Sequence, residues 1–238
     1  MVDGVTSNKI FVVMPAAGAS SRMESSIPKQ YLELESNQTV LSKSLEIIFR
    51  SIEVERAVIA VATGDSRFHE SISFFKERCH IVEGGEQRID SVSNCLDFLV
   101  GEASEEDWIL VHDAARPCVR GEDVSNLIRC IEHTSVGGIL GVPVTDTLKL
   151  LDGDNVVKTV DRKNIWRALT PQVFRFKILR DAVQLASKSG QIFTDEAQAV
   201  ERAGHPVKII LGHQDNIKIT YPDDLRLAQY LLTLQDAL

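Results

Sequence analysis

The chain has 238 residues, 44% hydrophobic and 25% charged, the balance of a globular protein long enough to bury one full α/β core. Its net charge of −8 leaves no basic surplus to neutralise many phosphates, which argues against a nucleic-acid partner but not against a local cationic pocket. The apolar runs are too short to span a bilayer, and the polar opening MVDGVTSNK lacks the apolar core of a signal peptide, so it reads as a frayed tail on a cytoplasmic protein.

The first predicted element is a strand over residues 10–14, short, apolar and β-branched. It runs into a loop of small residues, Pro15-Ala16-Ala17-Gly18-Ala19-Ser20-Ser21, with Arg22 and Lys29 close behind. Small side chains let a ligand approach backbone N–H groups, and the two cations supply the charge that phosphates need. The loop matches neither the P-loop pattern nor the dinucleotide fingerprint.

Leu41, Leu45, Ile48, Phe49 and Ile52 then form a stripe of helical period, followed by a predicted strand over 57–62. Phe68, Ile72 and Phe75 make a shorter stripe. Gly84-Gly85 permits close backbone approach ahead of a helix opened by Ser91, with Val92, Cys95, Leu96 and Leu99 on one face. A strand over 108–112 delivers Asp113 and Arg116 just past its end, within VHDAARP. His112 beside Asp113 reads as structural or orienting rather than as a general base. Val124, Leu127, Ile128 and Ile131 form a fourth stripe, and a strand over 138–144 follows. Strand–helix alternation implies a largely parallel sheet covered on both faces, with ligands beyond the carboxyl ends of its strands.

The rhythm breaks at residues 148–160, where two apolar runs flank Asp152-Gly153-Asp154-Asn155. This predicts a β-hairpin, and a turn rather than a metal-binding DxD. An isolated hairpin is marginal in water and needs a surface to pack on, for which a second subunit is the favoured candidate. A last strand is predicted over 207–211. Lys218 alternates with Ile217 and Ile219 and so faces away from them, which by itself suits the solvent face of an edge strand. A final helix starts at Pro222-Asp223-Asp224. Cys79, Cys95, Cys118 and Cys130 show no paired spacing, so reduced thiols are expected rather than zinc ligands, and Cys118 reads as a small core residue. No composition shift marks a second domain: residues 1–238 read as one domain, with the arm at 145–165 inserted within it.

PAAG, SRM, PKQY, GGxxRxxSV, VHDAARP, PVxDTLK, the Asp161-Arg162 pair, LTPQxF, TDEA and NxKITxPDDL occur in that order. This set resembles the 2-C-methyl-D-erythritol 4-phosphate cytidylyltransferase family, the third step of the non-mevalonate isoprenoid pathway, over residues 10–225. The resemblance implies a Rossmann-like nucleotidyltransferase sandwich with a mostly parallel sheet and a hairpin arm used in homodimerisation. It implies CMP transfer from CTP to methylerythritol phosphate with release of pyrophosphate. The expected catalytic cations are Arg22, Lys29 and Lys218. The expected CTP contacts are Ala16, Ala17, Gly18, Gly84, Gly85, Arg88 and Ser91, with Arg88 supporting the loop or touching the nucleotide. The polyol phosphate would meet Asp113, Ala114, Arg116, Thr147, Arg162 and Thr194, with Thr147 and Arg162 reaching the neighbouring subunit's site. Asp113 is the expected ligand of Mg²⁺, or of another divalent cation. Two departures stand out: Ser20 replaces a glycine usual in the family's loop, and Cys95-Leu96 replaces a Gly-Leu pair. Competing readings are a ribitol-5-phosphate cytidylyltransferase and a non-catalytic nucleotide-binding protein of the same fold.

Overall fold

A computed structural model describes residues 8–19, 21–34, 38–188 and 191–237. The N-terminal tail through Ser7, and Ser20, therefore lie outside the described residues. One seven-stranded sheet has the order β3-β2-β1-β4-β8-β5-β9, and a separate two-stranded hairpin pairs β6 with β7. The strands are β1 (Ile10–Pro15), β2 (Arg56–Val61), β3 (Cys79–Glu83), β4 (Trp108–Val111), β5 (Gly137–Pro143), β6 (Leu148–Asp152), β7 (Asn155–Val160), β8 (Trp166–Arg175) and β9 (Lys208–Leu211). The helices are α1 (Val40–Ser51), α2 (Phe68–Ser71), α3 (Arg88–Phe98), α4 (Gly121–Ile131), α5 (Phe176–Lys188), α6 (Glu196–Arg202) and α7 (Pro222–Asp236). Within the sheet only β8 runs against its neighbours, pairing antiparallel with β4 and β5.

Alternation along β1 divides the core. Val12 and Met14 pack with Leu41, Leu45 and Ile48 of α1 and Leu127 and Ile131 of α4. Phe11 and Val13 point the other way, to Val92 and Leu96 of α3 and Leu179 and Val183 of α5. Each helix buries one apolar stripe, so a strand side chain finds a helix on either face of the sheet. Cys95 and Cys118 are fully buried, and all four cysteines are free thiols.

Several elements exceed the sequence expectation. β3 and β8 are additional strands, and α5 and α6 additional helices. The stripe from Phe68 resolves into the short α2 and a tight 3₁₀ turn. Residues 216–220 form no strand, so the edge-strand reading of Lys218 is corrected: the segment is an irregular crossing, pinned where the Ile219 N–H donates to the Ala115 carbonyl at 2.9 Å. The predicted hairpin is present, and Gly153 at φ +54° supplies the left-handed turn conformation that Cβ disfavours. Leu150, Leu151, Val156 and Val157 on its two strands are each about half exposed or more.

The chain winds from β1 through β2 to β3, then crosses to place β4 on the other side of β1. The carboxyl ends of β1 and β4 therefore flank the topological switch point, where open α/β sheets bind ligands. β8 enters antiparallel, so its first half, from Ala168 to Gln172, closes the same end of the sheet.

Candidate active site

Two adjoining cavities open at that end. The larger, about 320 Å³, is lined by Ala16, Ala17, Gly18, Ala19, Lys29, Gln30, Gly85, Arg88, Ser91, Ala114 and Ala115 together with Asp113 and Lys218. The smaller, about 200 Å³, is lined by Arg116, Ala168, Thr170, Gln172, Thr194 and Asp195. Arg88, Asp113 and Lys218 line both.

Local structure fixes each wall. The loop after β1 is held by the Gln30 amide, which donates to the Ala16 carbonyl at 2.6 Å. Gly84 lies beneath that loop and lines neither cavity: a Cβ there would sit 2.3 Å from the Ala17 Cβ, so only glycine permits the approach. Gly84 thus has a packing role. The Ser91 hydroxyl accepts from the Gly85 N–H at 3.1 Å, and Asp90 accepts from the Gln87 N–H at 3.0 Å, which fixes the start of α3 and hence Arg88. Asp224 accepts from the backbone N–H groups of Thr220 and Tyr221, both at 2.8 Å, anchoring the segment that carries Lys218.

Asp113 is the centre of the charge cluster. Its Oδ1 accepts from Nε and Nη2 of Arg88, each at 3.0 Å. Its Oδ2 accepts from Lys218 Nζ at 3.0 Å and Arg116 Nε at 3.2 Å. Burial would raise this carboxyl, but Arg88, Lys218 and Arg116 outweigh it and hold it well below the usual range. Arg116 also donates to the Asn216 carbonyl at 2.8 Å, and burial lowers it against the pull of Asp113. Lys29 donates to the Ile219 carbonyl at 2.7 Å; burial first, then Lys218, lower it to about 8. Arg88 reaches back with its Nη1 to Glu196, which is almost completely buried. Lys29, Arg88, Arg116 and Lys218 thus outnumber Asp113 and Glu196. Of the other acids on these walls, Glu86 is exposed, and Asp195 caps α6 and accepts from Gln172 at 2.9 Å.

His112 is fully buried, and burial lowers it to about 4, so it is neutral near pH 7. Its Nδ1 lies 3.0 Å from Thr170 Oγ1 and its Nε2 lies 3.1 Å from the Arg116 carbonyl. Thr170 Oγ1 in turn accepts from the Asp113 N–H at 3.1 Å. A carbonyl only accepts, so Nε2 carries the proton and Nδ1 accepts from the threonine hydroxyl. His112 therefore orients the Asp113 turn and has no lone pair free for base chemistry.

Each lone-pair position of the Asp113 carboxylate already faces a cationic donor, two on each oxygen. A divalent cation would have to displace one of them. Among the described residues no cluster of three or more His, Cys, Asp or Glu side chains provides another cage. Asp113 would take a divalent cation only once one of these side chains, such as the more exposed Lys218, has moved away.

The remaining expected residues divide. Arg116 and Thr194 do line the smaller cavity, with the Thr194 N–H donating to Gln198 at 2.9 Å. Ala114 lines the larger cavity, next to Asp113. Arg22 lines neither cavity and stands 5.8 Å from the Tyr221 ring centroid. Thr147 and Arg162 are exposed at the base of the arm and line neither cavity of their own chain; Arg162 donates to the Thr145 carbonyl. Gln30, Thr170, Gln172 and Glu196 were missed as site residues, although the PKQY, LTPQxF and TDEA motifs contain them.

A small-residue loop after the first strand, a cationic cleft at the switch point and a mostly parallel sheet make an α/β fold with a phosphate-binding cleft. A sequence model described as 2-C-methyl-D-erythritol 4-phosphate cytidylyltransferase matches residues 10–234, and the chain belongs to that family. A curated relative of that name from Hahella chejuensis is 43% identical over 232 residues, covering 97% of this chain and 96% of its own. One from Serratia proteamaculans is 41% identical over 229 residues, covering 95% of both. The crystal structure of the Francisella tularensis 2-C-methyl-D-erythritol 4-phosphate cytidylyltransferase superposes with a TM-score of 0.81 at 33% identity, covering 94% of this chain and all of that one.

Proposed function

We propose that this chain transfers CMP from CTP to 2-C-methyl-D-erythritol 4-phosphate, forming 4-diphosphocytidyl-2-C-methyl-D-erythritol and pyrophosphate. The observation that carries this reading is the pair of adjoining cavities that share Arg88, Asp113 and Lys218. The larger suits a nucleotide on a small-residue loop, and the smaller suits a compact phosphorylated polyol. A phosphate oxygen of the polyol attacks the α-phosphorus of CTP in line, and the bond to the β-phosphate oxygen breaks. A phosphate monoester is largely dianionic at neutral pH, its second pKa being near ~6, so the nucleophile needs no base. The work left to the protein is to bring two polyanions together and stabilise the charge that develops between them. Lys29 and Lys218 do this at the reacting phosphates, with Arg22 joining from the edge of the loop. Arg116 and Thr194 hold the polyol phosphate. Mg²⁺ enters as the counter-ion of the CTP triphosphate, as part of the substrate. Incubation with both substrates should yield equal amounts of pyrophosphate and a disubstituted diphosphate product, read by ³¹P NMR; no product would refute the reading.

Lys29 also predicts the alkaline limit. Its folded value of about 8 lies below its ordinary 10.5. Between these values the unfolded chain holds the proton that the folded chain has lost, so this group makes stability rise with pH across that window. Activity runs the other way: kcat/KM for CTP should fall above about pH 8 as the ammonium is lost. In Lys29→Arg the guanidinium stays charged, so the alkaline fall should move to higher pH. An unmoved limb would remove Lys29 as its source.

The arm completes the proposal. Thr147 and Arg162 serve the partner subunit's smaller cavity in a homodimer built by exchange of arms, which also covers the exposed apolar residues of β6 and β7. Mixing inactive Arg162→Ala and Lys218→Ala protomers tests this. Exchange creates one site with a native arm and a native Lys218, so activity should return on mixing. Two preparations that stay inactive after demonstrated subunit exchange would contradict it. The free thiols, together with the absence among the described residues of a helix long and apolar enough to cross a membrane, support a cytoplasmic enzyme.

A further inference from the structure

Glu196 lines neither cavity, yet it is buried to 1% exposure behind the wall they share. It is the first residue of α6, and its Oε1 takes Nη1 of Arg88. Its Oε2 is buried and has no hydrogen-bond partner among the described residues. The other edge of the same guanidinium holds Asp113 Oδ1 through Nε and Nη2. One arginine is thus clamped between two buried carboxylates, one from α6 and one from the loop after β4.

Anchoring of α6 does not explain this arrangement. The helix start is already fixed by the Asp195 cap on the Gln198 N–H and by the Gln172 side chain, which accepts from the Ala197 N–H at 2.9 Å. Stability is a poor explanation too, since a buried ion pair seldom outperforms apolar packing, and this one leaves an oxygen unsatisfied. The alternative lies in what happens when phosphates arrive. Lys218, the most exposed of Asp113's partners, then exchanges its carboxylate for a phosphate oxygen. Arg88 lines both cavities, and an untethered guanidinium would follow, because its paired N–H groups match phosphate geometry well. Asp113 would lose the partner that fixes its Oδ1, and the phosphate would be captured before reaction.

Building on the cytidylyl-transfer reading, we propose that Glu196 is a positioning residue. It holds Arg88 back against Asp113, so that Asp113 keeps its orientation while Lys218 moves to the reacting phosphates. Interactions that favour the bound substrates equally before and during reaction do not raise turnover, so restraining Arg88 favours the transition state.

The test is steady-state kinetics with both substrates on wild type, Glu196→Gln, Arg88→Lys and the double variant, with thermal melts alongside. Glu196→Gln keeps the shape and removes the charge. Its kcat should fall about tenfold or more while neither KM rises, a split that a structural role would not produce. In the double variant the glutamine should add little to the loss already caused by Arg88→Lys, since both act through one pair. Wild-type kcat in Glu196→Gln, or losses that simply multiply, would overturn the proposal. Should Glu196→Gln fail to fold, Glu196→Asp decides: reduced kcat with unchanged KM supports the role, and wild-type kinetics refutes it. Wild-type enzyme in the same assay separates the two claims. If it fails to turn over, the functional reading falls; if it turns over and Glu196→Gln matches it, only this inference falls.

Discussion

Lys218→Ala should lower kcat by roughly 10²–10³-fold, the usual effect of removing one preorganised group that stabilises developing charge. KM for CTP should change far less. In the resting site Lys218 rests on Asp113 at 3.0 Å, so what it gains from phosphate on binding is offset by leaving that carboxylate, and its net effect falls on turnover. The fold should tolerate the change. The lysine is 37% exposed, and Asp113 keeps Arg88 and Arg116 when it is gone. Lys29→Ala should show a comparable loss, with the Ile219 carbonyl losing its partner. Initial-rate kinetics and thermal melts on the same preparations check both halves. Turnover like wild type in either variant would contradict the assigned role.

Asp113→Asn carries the largest structural effect. The carboxylate accepts from three cationic side chains, and an asparagine would leave them crowded around a neutral group, with its amide hydrogens facing donors. Breaking a buried charge pair from one side costs about 3–5 kcal/mol, which for a chain of this size corresponds to a fall in Tm on the order of 10 °C. The pH dependence has a definite sign. Asp113 is held below its unfolded value, so its contribution is present above that value, near ~3.9, and is lost as pH falls through the folded one. The gap between wild type and variant should therefore be full at neutral pH and narrow in acid. Urea unfolding across that range measures it. Activity should be lost as well, because Arg88, Arg116 and Lys218 share this anchor. An Asp113→Asn protein as stable as wild type would show that the cluster is not held together by this carboxylate.

How legible the molecule was from sequence varies with how local each signal is. β1, β2, β4, β5 and β9 have short apolar runs bounded by polar or turn residues, and the stripes of α1, α3 and α4 have a clear helical period. β3 was lost because Cys79–Glu83 is a half-buried edge strand of mixed polarity. β8 was lost because Thr170, Pro171 and Gln172 interrupt its apolar pattern; they do so because that half of the strand is a wall of the site. α5 follows β8 with no breaker between them, so its start at Phe176 carries no boundary signal.

The same logic holds for the site. Lys29, Asp113, Arg116 and Lys218 were readable as charges after strands or within ordered motifs, and the structure gathers them. Lys218 illustrates the limit: alternation with Ile217 and Ile219 suggested solvent, but only the crossing of residues 216–220 over the Ala115 backbone brings it to Asp113. Glu196 and His112 were invisible as partners because their role depends on contacts 108 and 58 residues away. Gly84 shows a second limit: its motif carries no sign that the glycine packs against Ala17.

The most direct test of the account is pyrophosphate release from CTP with two acceptors offered separately, 2-C-methyl-D-erythritol 4-phosphate and ribitol 5-phosphate. Rapid release with the first and little with the second is the predicted result. Rapid turnover of ribitol 5-phosphate with none of methylerythritol phosphate would contradict it.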